Sequence, residues 1–182
     1  MTWTFRRFDE LTPHELYAIM QLRNEVFVVE QNCVFQDADN KDQACHHLMG
    51  WGAAERGKGW ETIEGDERRE TGKDGNEWDV SKLLAYARIV PAGVSYAEPS
   101  IGRIISSPKA RGKGAGRELV QRSIDALYAL YGNNVIRIGA QLYLKKFYES
   151  FGFIQAGHIY IEDGIEHIEM LLSAPHREHP YR

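Results

Sequence analysis

Cysteine is scarce, with only Cys33 and Cys45 in 182 residues. One pair cannot staple a domain of this length, so both are read as free thiols and the disulfide-scaffold class is excluded. Long apolar runs are missing as well. No stretch approaches the ~20 residues of a spanning helix, and the opening MTWTFRRFDE has arginines with no apolar segment behind them. A membrane role is therefore not expected, and a cytoplasmic location is. Positive charge is not in excess either: 22 Lys plus Arg stand against 26 Asp plus Glu, a net charge of −4. The whole-chain electrostatic case for nucleic acid or an anionic membrane is absent. What is present is the composition of a soluble globular protein, 43% hydrophobic and 26% charged, in a length that fits one domain over 1–182.

The periodicity alternates between helix and strand. Leu16, Ile19, Met20 and Leu22 share a helical face after Thr12 as N-cap, Pro13 in the first turn and Glu15 at the third position. A second short helix is expected over Glu25 to Glu30, and strands over His47 to Gly52 and Ser81 to Val90. Between those strands the 25 positions from Glu55 to Asp79 hold 14 charged residues and five glycines. That is too little apolar matter for a core, so a polar inserted loop is expected at about 54–80.

SIGRIISSP then predicts a strand, and Leu119, Val120, Ser123, Ile124, Leu127, Tyr128 and Tyr131 one face of a long helix. A strand over Val135 to Ala140, a helix over Leu142 to Ser150 and a hairpin turning at Asp163 and Gly164 complete the pattern. In that hairpin a two-residue turn puts Tyr160 opposite His167 and His158 opposite Glu169, with Ile159, Ile161, Ile168 and Met170 on the other face. The expected class is α/β (α+β), a mixed central sheet flanked by helices and ending in an antiparallel hairpin.

Local charge reverses from Pro108 to Arg117, where Lys109, Arg111, Lys113 and Arg117 stand with three glycines and no acid. Glycines let backbone approach a ligand, and the helix start that follows offers free N–H groups and a positive dipole end. A phosphate or pyrophosphate suits such a site; the bland alternative is a solvated basic loop. A Walker loop fails because Lys113 is followed by Gly114 rather than Ser or Thr, and a dinucleotide fingerprint fails because Arg117 takes the third glycine's place.

What remains is RxxGxG, here Arg111, Gly114 and Gly116 between a strand and a helix. It resembles the acetyl-CoA pyrophosphate loop of the GNAT acetyltransferase superfamily. AQLYLKKFYESFGF, Ala140 to Phe153, is similar to that superfamily's closing strand, helix and FGF element. LRNEVFVVEQNCVFQDADNKDQACHHL and EDGIEHIEM further resemble its ElaA-like branch.

The resemblance implies a GNAT-like domain that uses acetyl-CoA as acyl-donor substrate. Ile104, Ile105 and Ser106 would pair with the pantetheine arm, and the amides of Gly112, Lys113, Gly114, Ala115, Gly116 and Arg117 would meet the pyrophosphate beside Arg111. Tyr148 would protonate the departing thiolate; its other reading is core packing. Gln141 would orient the pantetheine or the tyrosine, or is a plain helix-start residue. The implied activity is N-acetyl transfer to a small-molecule or peptide primary amine by direct attack; the alternative is a CoA-binding or sensing domain without turnover.

The acceptor side is expected around Glu30, Asp37, Asp39, Asp42, His46 and His47, with His167 on the polar hairpin face. Arg88 and Arg103, inside otherwise apolar strands, either anchor an acceptor carboxylate or are paired structurally. No base is singled out. Metal is not expected: Lys41, Gln43 and Leu48 break a calcium loop, and adjacent His46 and His47 point to opposite strand faces.

Overall fold

The computed structural model describes residues 1–52 and 83–174; the expected insertion at 54–80 and the last eight residues lie outside that range. Helix α1 (Pro13–Arg23) begins as the sequence requires. The Thr12 hydroxyl accepts from the Glu15 amide at 3.1 Å, and Glu15 Oε2 accepts from the Thr12 amide at 2.8 Å. Such a reciprocal cap holds two end donors that would otherwise need water.

The segment read as a second short helix runs straight on from α1 as a π-helix over Asn24–Glu30, closed by the Gln31 amide on the Val26 carbonyl at 3.0 Å. The wider turn is a form often found at functional sites. Here it carries the chain from the buried Val26 to the exposed Glu30.

Among the described residues the sheet has seven strands: β1 (Thr2–Arg7), β2 (His46–Trp51), β3 (Leu83–Val90), β4 (Ser100–Ser106), β5 (Ile136–Gln141), β6 (Ile154–Glu162) and β7 (Ile165–Leu172). Their order is β1-β2-β3-β4-β5-β7-β6, antiparallel except where β4 meets β5. Helices cover both faces. On one, α2 (Ala115–Tyr131) lays Leu119, Val120, Ile124 and Leu127 onto Ile89, Ile101, Ile136 and Ile138, with α3 (Lys145–Glu149) adding Tyr148. On the other, α1 packs Ala18, Ile19 and Leu22 against Met49, Tyr86 and Ile105.

Ile101 and Ile105 are four residues apart in one strand, yet they lie in opposite layers. A bulge makes this possible. Tyr86 pairs with Ile105 and Arg88 with Gly102, so β4 carries one residue too many, and Arg103 takes φ +52. Bulges bend a strand and re-aim its side chains. Beyond this one, β4 leaves β5, and the two strands share a single residue pair, Ser100 with Arg137.

The hairpin register departs from expectation. Tyr160 opposes His167 as read, but Ala156, not His158, opposes Glu169. Gly157, at φ +85, opens a second bulge between them. The apolar face expected of four residues divides accordingly: Ile168 and Met170 are buried, whereas Ile159 and Ile161 are exposed because β6 is the sheet's edge.

Candidate active site

The RxxGxG segment folds as its composition suggests. Gly112 and Gly114 adopt φ +73 and +85, and Gly114 is the N-cap of α2. A Cβ there would meet nothing within 4 Å, so these glycines answer to backbone conformation and leave the space above them open. The first helical bond runs from the Glu118 amide to the Gly114 carbonyl at 3.0 Å. The amides of Ala115, Gly116 and Arg117 therefore have no partner within the helix. A 17-residue helix starting at a cationic turn is a built anion site.

Beside it, the divergence of β4 from β5 leaves the β5-facing edge of β4 from Gly102 to Ser106 without a strand neighbour among the described residues. An extended ligand arm can pair there as a strand would, and one free N–H can hold the oxygen of a polarised carbonyl. The residues present thus fit a donor with a pyrophosphate at one end and an amide-bearing arm at the other.

Arg111 spans this slot. Its Nε donates to the Ser106 carbonyl at 3.2 Å and its two terminal nitrogens grip both Glu30 oxygens. The Arg111 bonds hold the Glu30 carboxyl below its usual range. A residue read as binding the donor and one read as facing the acceptor are thereby brought together. Gln141 closes the far end, giving a hydrogen bond to Gln31 Oε1 at 3.2 Å.

Arg117 lies over the Phe147 and Phe151 rings, 5.9 and 5.0 Å from their centroids, and donates to Ser150 Oγ at 3.2 Å. A groove lined by Gly114, Arg117, Glu118, Gln121, Ser150 and Phe151 runs alongside. Sequence reasoning missed Gln121, Ser150 and Phe151; the i, i+4 aromatic pair Phe147 and Phe151 facing a loop arginine was the available signal.

Tyr148 is 5% exposed, its ring edge-on to Phe147 and Phe153. Burial pushes its phenol upward, which keeps the proton on at neutral pH. Among the described residues its hydroxyl makes no hydrogen bond.

The acidic loop resolves into a closed ring of three arginines and three aspartates. Arg23 binds Asp37 at 2.5 Å and Asp42 at 2.8 Å; Arg88 binds Asp42 at 2.9 Å and Asp39 at 2.6 Å; Arg103 binds Asp37 at 2.6 Å and reaches Asp39 at 3.5 Å. The ring is neutral and ties the loop before β2 to α1, β3 and β4. Of the two readings offered for Arg88 and Arg103, structural pairing describes these contacts. His47 is fully buried: its Nε2–H donates to the Asp42 carbonyl at 3.1 Å, so Nδ1 accepts from the Tyr86 hydroxyl at 2.9 Å. Both thiols are free and buried, and no group of three or more metal-ligating side chains occurs among the described residues.

These groups fix an acid response. Burial alone would raise the Asp39 and Asp42 carboxyls, but the Arg88 and Arg23 bonds overcome it and hold both low. Groups so depressed stabilise the fold fully above about pH 4 and lose that contribution as pH falls further. Burial also lowers His47, so the unfolded chain takes up a proton that the native state refuses, and stability begins to fall below about pH 6.5. Urea midpoints measured against pH should decline in these two stages; a midpoint flat from pH 7 to pH 3 is the contrary result.

Among the described residues no helix is long and apolar enough to cross a membrane. A family model described as acetyltransferase (GNAT) domain matches residues 77–174. Escherichia coli protein ElaA is 36% identical over 168 residues, 92% of this chain and 94% of that one. The crystal structure of an acyl-CoA N-acyltransferase from Pseudomonas aeruginosa superposes with a TM-score of 0.75 at 35% identity, covering 94% of this chain and 99% of that one. The E. coli ElaA crystal structure gives 0.73 at 33%, with the same coverage. The parted strands, the glycine turn that opens α2 and these likenesses agree, and the chain belongs to the GNAT acetyltransferase family.

Proposed function

We propose that this protein transfers an acetyl group from acetyl-CoA to a primary amine by direct attack of the amine on the thioester. The observation that carries the reading is the single pairing between β4 and β5 beside the open glycine turn. In it, the Ile104 to Ser106 backbone holds the pantetheine arm and its carbonyl. The amides of Gly112 to Arg117, with Arg111 and Lys113, hold the pyrophosphate. Holding both reactants in one slot supplies much of the acceleration by proximity. Tyr148 gives its proton to the leaving thiolate, and Gln141 sets the arm's orientation. The acceptor is a small-molecule or peptide amine reaching the slot from the face that carries α1, where Glu30, Arg103 and His167 border it.

Thermal unfolding with acetyl-CoA, ATP and NADH at matched concentrations tests the donor. A specific ligand at 100 times its dissociation constant adds about 2.7 kcal/mol. A rise in Tm with acetyl-CoA alone is expected; equal shifts with all three, or none, would return the glycine turn to a basic surface loop.

A further inference from the structure

The reaction needs a group that takes a proton from the incoming ammonium, because only the neutral amine attacks. Nearly every candidate on the α1 face of the sheet is already committed. Asp37, Asp39 and Asp42 are shared among three arginines. Glu30 is gripped by Arg111, and Glu98 and Glu169 are held by Arg137. Both nitrogens of His47 are used in the core.

His167 differs. It lies on β7 directly opposite Gln141, so the two side chains stand on one face with Cβ atoms about 5 Å apart. Its Nδ1 is 2.9 Å from the Ile165 carbonyl. A carbonyl only accepts, so Nδ1 carries the hydrogen and Nε2 keeps its lone pair. Tyr160 stacks on the ring at 5.8 Å between centroids, and its hydroxyl is bonded to Tyr96 above Gly139. A Cβ on Gly139 would come within 2.9 Å of the Tyr96 oxygen, so the bare backbone there is what lets this support sit so low.

Resting on the acyltransferase reading above, we propose that His167 is the general base of the reaction, with Nε2 as the accepting atom and Tyr160 as the residue that positions the ring. Nε2 takes one proton from the ammonium and passes it to solvent. The neutral nitrogen forms the N–C bond, the C–S bond breaks, and Tyr148 protonates the sulfur. The second proton lost by the nitrogen restores the phenol, so one acetylated amine, one thiol and one released proton result. The titratable and charged groups around the ring are Tyr160 and Glu162 on β6, Glu169 on β7 with Arg137 on β5, and Tyr96 and Glu98 ahead of β4. Of these only Glu162 is a carboxylate without an arginine partner among the described residues, and it is exposed toward the hairpin turn.

The test has two arms on the full chain. Nitrogen-15 NMR of labelled histidine at pH 8 should show His167 protonated at Nδ1 and bare at Nε2; the reverse tautomer overturns the proposal. Thiol release from acetyl-CoA with 1,4-diaminobutane as probe amine should fall about 100-fold in His167→Gln, with the acidic limb of the kcat/KM profile removed and Glu162→Gln close to wild type. Unchanged turnover and an unchanged profile in His167→Gln, or collapse in Glu162→Gln alone, overturns it. Acetyl-CoA should raise the Tm of His167→Gln as it does that of the wild type. A wild-type protein that acetyl-CoA fails to stabilise would sink the acyltransferase reading itself, whereas a stabilised variant with full turnover sinks only the base.

Discussion

Arg23→Ala is expected to cost about 3–5 kcal/mol of stability, because the change removes one member of a buried ionic ring and leaves its partners uncompensated. Arg23 is completely buried and bonds Asp37 through Nε and through the Asp37 carbonyl, and Asp42 through Nη1. Without it the ring keeps three aspartates against two arginines, in surroundings where an unpaired charge is several times more costly than at the surface. For a chain of this size each kcal/mol moves Tm by roughly 2–4 °C, so a fall of the order of 10 °C is anticipated by calorimetry. Arg23→Met restores much of the volume and isolates the charge. A loss under 1 kcal/mol, as for exposed pairs, would mean that the loop between the π-helix and β2 does not depend on the ring.

Tyr148→Phe should slow acetyl transfer by a factor of 100 or more, the usual scale for a positioned acid, while acetyl-CoA affinity stays within about twofold. The structure makes this comparison clean. The phenol makes no hydrogen bond among the described residues, and its ring packs edge-on against Phe147 and Phe153, so losing the oxygen leaves packing intact and stability nearly unchanged. A rate deficit in that variant therefore could not be ascribed to misfolding. Steady-state kinetics with a turned-over amine, beside calorimetric binding of acetyl-CoA, reads both quantities. Equal rates in the two proteins would remove Tyr148 from the chemistry, and binding without turnover by the wild type would favour a sensing domain.

Much of the fold was legible because its determinants are local. Thr12, Pro13 and Glu15 announce α1 within four positions, and the Leu119 to Leu127 stripe announces α2. The glycine turn was legible for the same reason: conformation, charge and helix start fall within ten residues of sequence. What escaped depends on distance or on a single irregular residue. Asp39 and Arg88 are 49 positions apart, and Asp37 and Arg103 are 66 apart. No periodicity links them, although arginines inside apolar strands do require carboxylates from somewhere. The π-helix differs from an ordinary turn only in which carbonyl accepts, a choice made by packing. The β6 bulge did have a local sign, since Gly157 interrupts the strand, and reading through it misplaced His158 while leaving the Tyr160–His167 pair correct.

That same bulge bears on how copies of the chain behave toward one another. β6 is an outer strand, and outer strands invite a neighbour to add on and spread into aggregates. This one is tempting: Ile154, Ile159 and Ile161 are all exposed. The kink at Gly157 divides it, so the apolar stretch past the bend is short and out of line with the run before it. At the opposite margin β1 presents Arg6 and Arg7, paired with Glu15 at 3.9 Å and Asp9 at 2.8 Å, and an added strand would have to strip water from these charged groups. Two unrelated devices therefore guard the two rims of one sheet, and smoothing the β6 bend would trade a more regular hairpin for a stickier protein.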